Sequence, residues 1–265
     1  MTRSVSTLFT LLWIAILAGC GGLGEGPDKT AGWSAQRLYT EAKSELSDGN
    51  YESAVKLYEK LESRFPYGRY AQQAQMEVAY AYFRQSQPEN ALAACDRFIK
   101  LHPNHPNVDY MYFLKGVVNF NEDLGLLAVV SRQDPSERDP KSAKDAFDAF
   151  RELVTRYPDS KYTPDAMKRL AYLVNALAAH EVHVARYYYR RGAYLAAANR
   201  ATTVVTTYST SPSLEEALGI QVLSYGKLGL TELRDDSLRI MKLNFPDSLY
   251  AKGLVERPEP WWKFW

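Results

Sequence analysis

Residues that could hold a metal ion or transfer a proton are few, and their spacing is unfavourable. The four histidines form two pairs, His102/His105 and His180/His183. Glu181 lies inside the second pair, but zinc helices of the H-E-x-x-H type carry their histidines at i and i+4. A solvated helix face and a proline-broken loop explain the two pairs better. The sequence therefore predicts no enzyme, no catalytic residue and no metal site.

The one residue with strong covalent chemistry is Cys20. It follows Arg3, an apolar run from Leu8 to Leu17, and the small residues Ala18 and Gly19. The run is shorter than the ~20 residues of a spanning helix but is typical of a secretory signal. Its ending resembles a bacterial lipobox, in which the thiol is diacylated, the chain is cut before the cysteine and the new amine is acylated. An ordinary signal peptide with a chance cysteine is the alternative.

Lipidation would fix the location of the mature chain. We expect residues 1–19 to be removed, and Cys20 to carry diacylglycerol and an N-acyl chain and to need no other cofactor. Several acyl chains give stable anchoring. Gly21, where the inner-membrane sorting pattern has Asp, favours the outer membrane. The glycines and Pro27 predict that residues 20–33 form a lipidated, flexible tether.

Charge argues against a nucleic-acid partner. The chain has 32 basic and 31 acidic residues, so it lacks the global basic charge of such proteins. The run from Arg186 to Arg191 mixes arginines and tyrosines, as single-strand binders do. Helix packing or a protein partner is the preferred interpretation on an exported chain.

A repeating pattern of small, aromatic and proline residues sets the fold. Ala54 is followed by Tyr58, Leu61 and Pro66, and the same alanine-to-proline spacing of 12 residues recurs from Ala91 to Pro103 and from Ala146 to Pro158. This is the second half of a tetratricopeptide-type (TPR) repeat. The sequence predicts an all-α fold, a right-handed superhelical solenoid of about five TPR-like helical hairpins. Cys95 falls at an aromatic position, where we expect it to be buried as a small hydrophobe.

Departures from the repeat divide the chain. Residues 34–160 are predicted to hold repeats 1–3, with an insertion at 121–141 that is either a binding loop or a solvated excursion. Residues 161–250 are predicted to hold repeats 4–5, opening with a helix of ~40 Å from Pro164 to Arg191. In the last repeat Arg234 replaces the small residue, which suits a capping repeat. Residues 251–265 form an aromatic tail whose role stays open between the end repeat, a partner and lipid headgroups.

The repeat register predicts a binding groove in the N-terminal half. First-helix positions that face the concave side of such repeats are aromatic, methionine or arginine here. They are Tyr39, Met76, Tyr80, Phe83, Arg84, Tyr110 and Phe113. Aromatic and methionine side chains suit an extended or aromatic-ended peptide, and Arg84 is a candidate partner for its carboxylate. Packing of the aromatics between repeats is the alternative.

Several stretches resemble one family closely. They are Arg64–Gly68 with Tyr70–Gln73, Asp96–Tyr110, and Arg138–Pro140 in the insertion. Together with the lipobox and the repeats, they make the mature chain similar to the BamD (ComL) family, lipoproteins of the Gram-negative outer-membrane β-barrel assembly machine. The aromatic tail is not matched to the family's best-known members.

The resemblance implies a function and its residues. The first three repeats would receive C-terminal targeting segments of unfolded outer-membrane proteins. The segment from Gly192 to Arg200, with Gly192, Tyr194 and Arg200 as docking residues, would bind the barrel subunit BamA. The insertion and the groove would meet smaller Bam lipoproteins.

Two classes of function follow from the sequence. The first is a non-catalytic scaffold, lipid-anchored on the periplasmic face of the outer membrane, that binds BamA and nascent β-barrel proteins for folding and insertion. The alternative is a periplasmic TPR lipoprotein scaffold that recruits cell-wall enzymes. Affinity capture from membranes separates the two.

Overall fold

Helices make up all the regular secondary structure that the computed structural model describes, which is residues 28–124 and 140–252. Ten α-helices lie in these ranges. They are α1 Ala35–Ser47, α2 Tyr51–Arg64, α3 Arg69–Arg84, α4 Pro88–Leu101, α5 Val108–Leu124, α6 Lys141–Arg156, α7 Thr163–Arg190, α8 Tyr194–Thr207, α9 Leu214–Leu228 and α10 Thr231–Asn244. Each helix packs against the next along the chain. The predicted solenoid of five helical hairpins is confirmed.

Four predictions fall partly or wholly outside the described residues. The signal peptide, Cys20, residues 125–139 of the insertion and residues 253–265 of the tail are among the residues whose structure is not described. The described helices set the bounds of the insertion, because α5 continues to Leu124 and α6 begins at Lys141.

Helix ends follow the signals in the sequence. Ser34 caps α1, its hydroxyl accepting a hydrogen bond from the backbone N–H of Arg37 at 3.3 Å. Within the first hairpin the turn passes through Gly49, whose φ of 83° is a left-handed conformation that favours glycine. The second helix of every hairpin ends at a residue that leaves the helical conformation, with φ between −121° and −136° and ψ between 36° and 67°. These residues are Phe65, His102, Tyr157, Tyr208 and Phe245.

Small residues let the two helices of each hairpin approach. Ala54, Ala91, Ala146 and Ala197, one in each of the first four hairpins, have no exposed surface. In the fifth hairpin the equivalent Arg234 is partly exposed. The last helix therefore presents a more polar, looser contact, as expected of a terminal repeat.

The 28-residue helix α7 joins the two halves of the stack. It contacts α6, α8 and α9, and its Leu173 and Leu177 are buried. Glu181, only 1% exposed, accepts a hydrogen bond from Arg200 at 3.1 Å and lies 3.5 Å from Lys144. Since a buried carboxylate is tolerated only when paired, this ion-pair network ties α6 and α8 to α7.

Membrane-spanning helices are not found among these elements. Within the described ranges, no helix combines the length and hydrophobicity needed to cross a bilayer.

The predicted flexible tether, residues 20–33, extends too far towards the first helix. Residues 28–33 form two hydrogen-bonded turns, from Ala31 N–H to Asp28 C=O and from Trp33 N–H to Thr30 C=O, each at 3.0 Å. Thr30 is 7% exposed, and Arg64 donates to its carbonyl oxygen at 2.5 Å. Composition predicted a tether because it does not reveal this long-range partner. Any flexible tether ends before Asp28.

Gly116 marks the closest approach between α5 and α6. A Cβ atom at this position would lie 2.5–2.8 Å from ring carbons of Phe150, which is itself fully buried. We expect Gly116→Ala to destabilise the fold by about 1–3 kcal/mol, since the ring has no free space to move into. Urea unfolding followed by circular dichroism measures this.

Gly226→Ala is the matched control for that change. Gly226 also lies inside a helix, but an added Cβ would meet only the Arg234 side chain at 3.7 Å. Alanine should raise stability there by up to about 1 kcal/mol because of its helix propensity. Equal effects at the two glycines would contradict the packing argument.

The buried Cys95 should be chemically silent in the folded protein. The side chain has no exposed surface, and burial raises the pKa of its thiol to about 12. Because the thiolate is the reactive form, a chromogenic disulfide reagent at pH 8 should label Cys95 only after unfolding. A Cys20→Ser background isolates this thiol, and Ser53→Cys on the exposed face of α2 supplies a reactive control. Rapid labelling of folded Cys95 would refute the assignment.

Candidate peptide-binding groove

A cleft of about 470 Å³ opens on the concave side of the first three hairpins. We call it the groove. It is lined by residues of α1, α3, α5 and the two inter-repeat loops that precede α5 and α7. These residues are Lys43, Gln73, Met76, Glu77, Tyr80, Asn107, Tyr110, Lys161 and Tyr162. Three of the predicted positions, Met76, Tyr80 and Tyr110, therefore meet in one cleft.

Aromatic rings form the wall near α5. Tyr110 lies 5.5 Å from Tyr162 between ring centroids. Phe113 stacks on the same Tyr162 ring, with centroids 4.8 Å apart and an interplanar angle of 17°. Phe113 supports the wall rather than lining it, because it also packs on the buried ring of Phe150. Rings held in this way present a rigid apolar surface at low entropic cost.

The positive charge of the groove is concentrated on one lysine. Lys43 Nζ lies 2.6 Å from Glu77 Oε1, so these two charges offset each other. Lys161 Nζ instead lies 5.0 Å above the ring of Tyr162. No carboxylate in the described part of the chain comes within 4.0 Å of Lys161. The groove thus offers one uncompensated cation beside aromatic rings.

Two tyrosines at the groove are poor acids. Burial raises the pKa of Tyr110 well above its ordinary value, and burial with the nearby Glu77 carboxylate raises that of Tyr39. Both hydroxyls therefore stay protonated at neutral pH, and that of Tyr39 is hydrogen-bonded to Glu77 and Gln73. Tyr39 does not line the groove itself. It lies beside it, 5.5 Å from Tyr70 and 5.9 Å from Tyr58 between ring centroids.

Phe83 and Arg84 lie away from the groove lining. Phe83 packs on Tyr80 with ring centroids 6.5 Å apart. Arg84 donates a hydrogen bond to the Tyr80 hydroxyl at 2.8 Å and lies 5.0 Å above the ring of Tyr51. The guanidinium therefore holds the Tyr80 side chain in place from outside the groove lining.

Sequence reasoning missed the polar part of the groove. Counting positions within first helices cannot find Asn107, Lys161 or Tyr162, because all three lie in loops between repeats. The repeat register could have indicated these three residues, because a loop between repeats that adjoins a concave helix position can reach the groove. Lys43, Gln73 and Glu77 also line the groove from first helices, but they were not among the predicted groove residues.

The second predicted site lies at the turn between α7 and α8. Gly192 has a φ of 76°, Tyr194 packs edge-on against Tyr189 at 5.4 Å, and Leu195 is 58% exposed. Arg200 is held by Glu181. The turn thus combines an exposed apolar side chain with a braced backbone, while Arg200 also holds α8 on α7.

The histidine pairs have structural surroundings. The rings of His102 and His105 lie 5.0 and 5.2 Å from that of Phe98, and His102 Nε2 is 2.9 Å from Gln75 Oε1. In the described ranges, no three His, Cys, Asp or Glu side chains are arranged to hold a metal ion.

Comparison with known proteins identifies the family. The profile of the YfiO family, described as an outer membrane lipoprotein, matches residues 32–240. Outer membrane protein assembly factor BamD of Neisseria meningitidis serogroup B is 46% identical over 266 residues, covering 100% of both chains. BamD of Vibrio cholerae is 34% identical and covers 90% of this chain and 98% of its own.

Solved structures add little to this. The MamA protein covers 85% of this chain and 98% of its own, at 15% identity and a TM-score of 0.37, a likeness too weak to carry an argument. The family assignment rests instead on the profile and on the full-length relatives. The chain belongs to the YfiO, or BamD, family of outer membrane lipoproteins.

Proposed function

We propose that this chain is a non-catalytic scaffold of the outer-membrane β-barrel assembly machinery. In this role it binds the targeting segments of nascent outer-membrane proteins through the groove and BamA through its C-terminal repeats. The observation that carries the proposal is the uncompensated Lys161 beside the Tyr110–Tyr162 wall. The assembly-factor name of the full-length relatives supports it.

The groove fits the end of a polypeptide that closes on an aromatic residue. The terminal carboxylate can pair with the ammonium group of Lys161, while the terminal ring packs on Tyr110 and Met76. The side-chain amides of Gln73 and Asn107 can satisfy peptide groups of an extended segment. Such a ligand leaves no uncompensated charge in the groove.

Lys161 fits the carboxylate role better than Arg84 does. The sequence suggested Arg84 because of its register position, but its guanidinium stacks on Tyr51 and Tyr80 outside the groove lining. Lys161 lines the groove, and its ammonium group lies 5.0 Å from the centroid of the Tyr162 ring. We therefore assign the carboxylate to Lys161 and the positioning of Tyr80 to Arg84.

The C-terminal repeats provide the second interaction surface. Leu195, Leu228 and Leu230 are 58%, 38% and 41% exposed, and they lie at the turns between α7 and α8 and between α9 and α10. Both turns join the two helices of one hairpin, so they lie on the same edge of the stack. An exposed apolar edge rimmed by polar residues is typical of a protein interface. We assign BamA to it, and smaller Bam lipoproteins to the insertion and the outer rim of the groove.

Anchoring completes the proposal. A diacylglycerol and an N-acyl chain on Cys20 would hold the scaffold on the periplasmic face of the outer membrane. No other cofactor is needed for binding. The alternative scaffold, which recruits cell-wall enzymes, is not favoured by the names of the relatives.

Removing the charge of Lys161 should weaken peptide binding only through the lost contact with the peptide's terminal carboxylate. With a fluorescent peptide that ends in phenylalanine, we expect Lys161→Gln to reduce affinity by roughly 3–10-fold, as for a partly exposed charged hydrogen bond. Fluorescence anisotropy measures it. Amidating the peptide C-terminus should cost the wild-type protein a similar factor and cost Lys161→Gln much less.

Lys168→Gln is the control for that experiment. Lys168 lies exposed on α7 and carries the same charge, but it does not line the groove. Its substitution should leave affinity for both peptides unchanged. Equal losses on amidation in the wild-type and Lys161→Gln proteins would remove Lys161 from the carboxylate site.

The BamA assignment predicts a different sensitivity. Leu195→Glu places a charge on the exposed side chain at the α7–α8 turn, so it should strongly reduce co-purification of BamA from detergent-solubilised membranes. Peptide binding in the groove should not change. Met167→Glu, on an equally exposed residue near the start of α7, is the control. Recovery of a peptidoglycan hydrolase or synthase in place of BamA would support the alternative scaffold.

A further inference from the structure

The chain between the lipid site and the first repeat is fixed to one end of α2. Asp28 accepts hydrogen bonds from Lys60 at 3.1 Å and from Arg64, and Arg64 also donates to the carbonyl and hydroxyl oxygens of Thr30 at 2.5 and 3.1 Å. Lys60 and Arg64 lie one turn apart at the C-terminal end of α2. We call Asp28, Thr30, Lys60 and Arg64 the anchor clamp.

The hydrogen bonds of the anchor clamp stabilise the charged form of Asp28. Hydrogen bonds from the Thr30 hydroxyl and backbone N–H, and then from Lys60, hold the pKa of Asp28 well below its usual range. The carboxylate is therefore charged at neutral pH. A group with a depressed pKa contributes stability above its unfolded-state pKa and loses it as the pH falls through the folded-state value. The clamp therefore persists over the neutral range.

Chain length limits how far the clamp lies from the lipid. Eight peptide units separate Cys20 from Asp28 in the sequence, so the two Cα atoms are at most about 29 Å apart. Tyr67 lies three residues after Arg64, within about 11 Å of it by the same measure. The loop between α2 and α3 is thus within tether reach of a lipid on Cys20.

A second loop lies at the same edge. Glu62 near the end of α2 pairs with Arg97 near the end of α4 at 3.4 Å, and Gln75 bridges Glu62 and His102 at 3.0 and 2.9 Å. The C-terminal ends of α2 and α4 are therefore level. Leu101, the last residue of α4, shares an edge with Tyr67.

The side chains of this edge match the chemistry of a bilayer interface. Tyr67 is 91% exposed and Leu101 is 56% exposed. Arg69 and Lys100, both exposed, flank them in sequence. Tyrosine has an apolar ring and a polar tip, which suit the headgroup level of a membrane. Nearby cations are attracted to anionic headgroups.

We propose that this edge, formed by Tyr67, Arg69, Lys100 and Leu101, lies on the lipid surface and that the anchor clamp holds it there. The inference rests on the proposed lipid anchor at Cys20. It assigns an orientation to the scaffold, with the ends of α2 and α4 towards the bilayer and the turns within the hairpins away from it. Tyr67 then lies at headgroup level.

Site-directed labelling of the lipidated, full-length protein tests the orientation. Cys20 is acylated in this protein and Cys95 is buried, so a single introduced cysteine can carry a fluorophore. Tyr67→Cys reports on the proposed edge, and Glu89→Cys, exposed in the first turn of α4, reports on the opposite edge. The protein is reconstituted in vesicles of phosphatidylethanolamine and phosphatidylglycerol that contain a headgroup-level quencher lipid. We expect quenching at position 67 and none at position 89.

Breaking the clamp supplies the second arm. Asp28→Ala removes the acceptor of Lys60 and Arg64 without touching a helix, so the repeats should fold unchanged by circular dichroism. Quenching at position 67 should fall to the level at position 89, while the protein still floats with the vesicles. Quenching of the fluorophore at position 67 that survives Asp28→Ala would overturn the role of the clamp.

The outcomes separate this inference from the anchor on which it rests. Protein that does not float with vesicles lacks the lipid anchor, and both proposals then fail. Protein that floats but shows equal quenching at positions 67 and 89 keeps the anchor and overturns the edge assignment alone. Quenching at 67 only, lost in Asp28→Ala, supports the whole inference.

Discussion

Close approach of two helices at an alanine is the contact on which the whole stack depends. Ala54, Ala91, Ala146 and Ala197 are completely buried at the same position of successive hairpins. A larger side chain there would hold the helices apart, and the side chain one turn later would lose its partners. Tyr58, Cys95 and Phe150, each four residues after such an alanine, are fully buried because the alanines allow it. Since a hairpin of this kind cannot bury both faces alone, neighbouring hairpins complete its core.

Stacking of equal units leaves a curved surface, and the groove is a consequence of that curvature. The first helices α1, α3 and α5 contact one another across the concave side. Tyr80 and Tyr110 line the groove and remain partly exposed, while Met76, at 3% exposure, forms its buried base. The predicted alternative, packing of the aromatics between repeats, holds for part of the set. Tyr39 packs on Tyr70 of the second hairpin, and Phe113 stacks on Tyr162 in the loop before α7.

Local signals made the fold predictable, whereas contacts distant in sequence did not. The Ser34 cap, the Gly49 turn and the proline stops act within a few residues, and the long helix predicted from Pro164 to Arg191 is observed at Thr163–Arg190. The positions of Lys161 and Tyr162 depend on how the third and fourth hairpins stack, which no local pattern records. The same holds for Asp28, whose partner Arg64 is 36 residues away. The repeat register predicted Arg84 in the groove, but its stacking on Tyr51, which depends on the neighbouring helix, holds it outside the groove lining.

The long helix α7 connects the groove and the α7–α8 turn in one rigid element. It begins at Thr163, directly after the groove residues Lys161 and Tyr162, and ends at Arg190, just before the turn at Gly192. At 1.5 Å per residue, its 28 residues span about 42 Å. Glu181 lies in its second half and pairs with Lys144 of α6 and Arg200 of α8. Loss of either partner would leave the buried carboxylate less compensated, which is costly. The ion-pair network therefore fixes both neighbouring helices on α7, so the groove and the α7–α8 turn are held at a set distance.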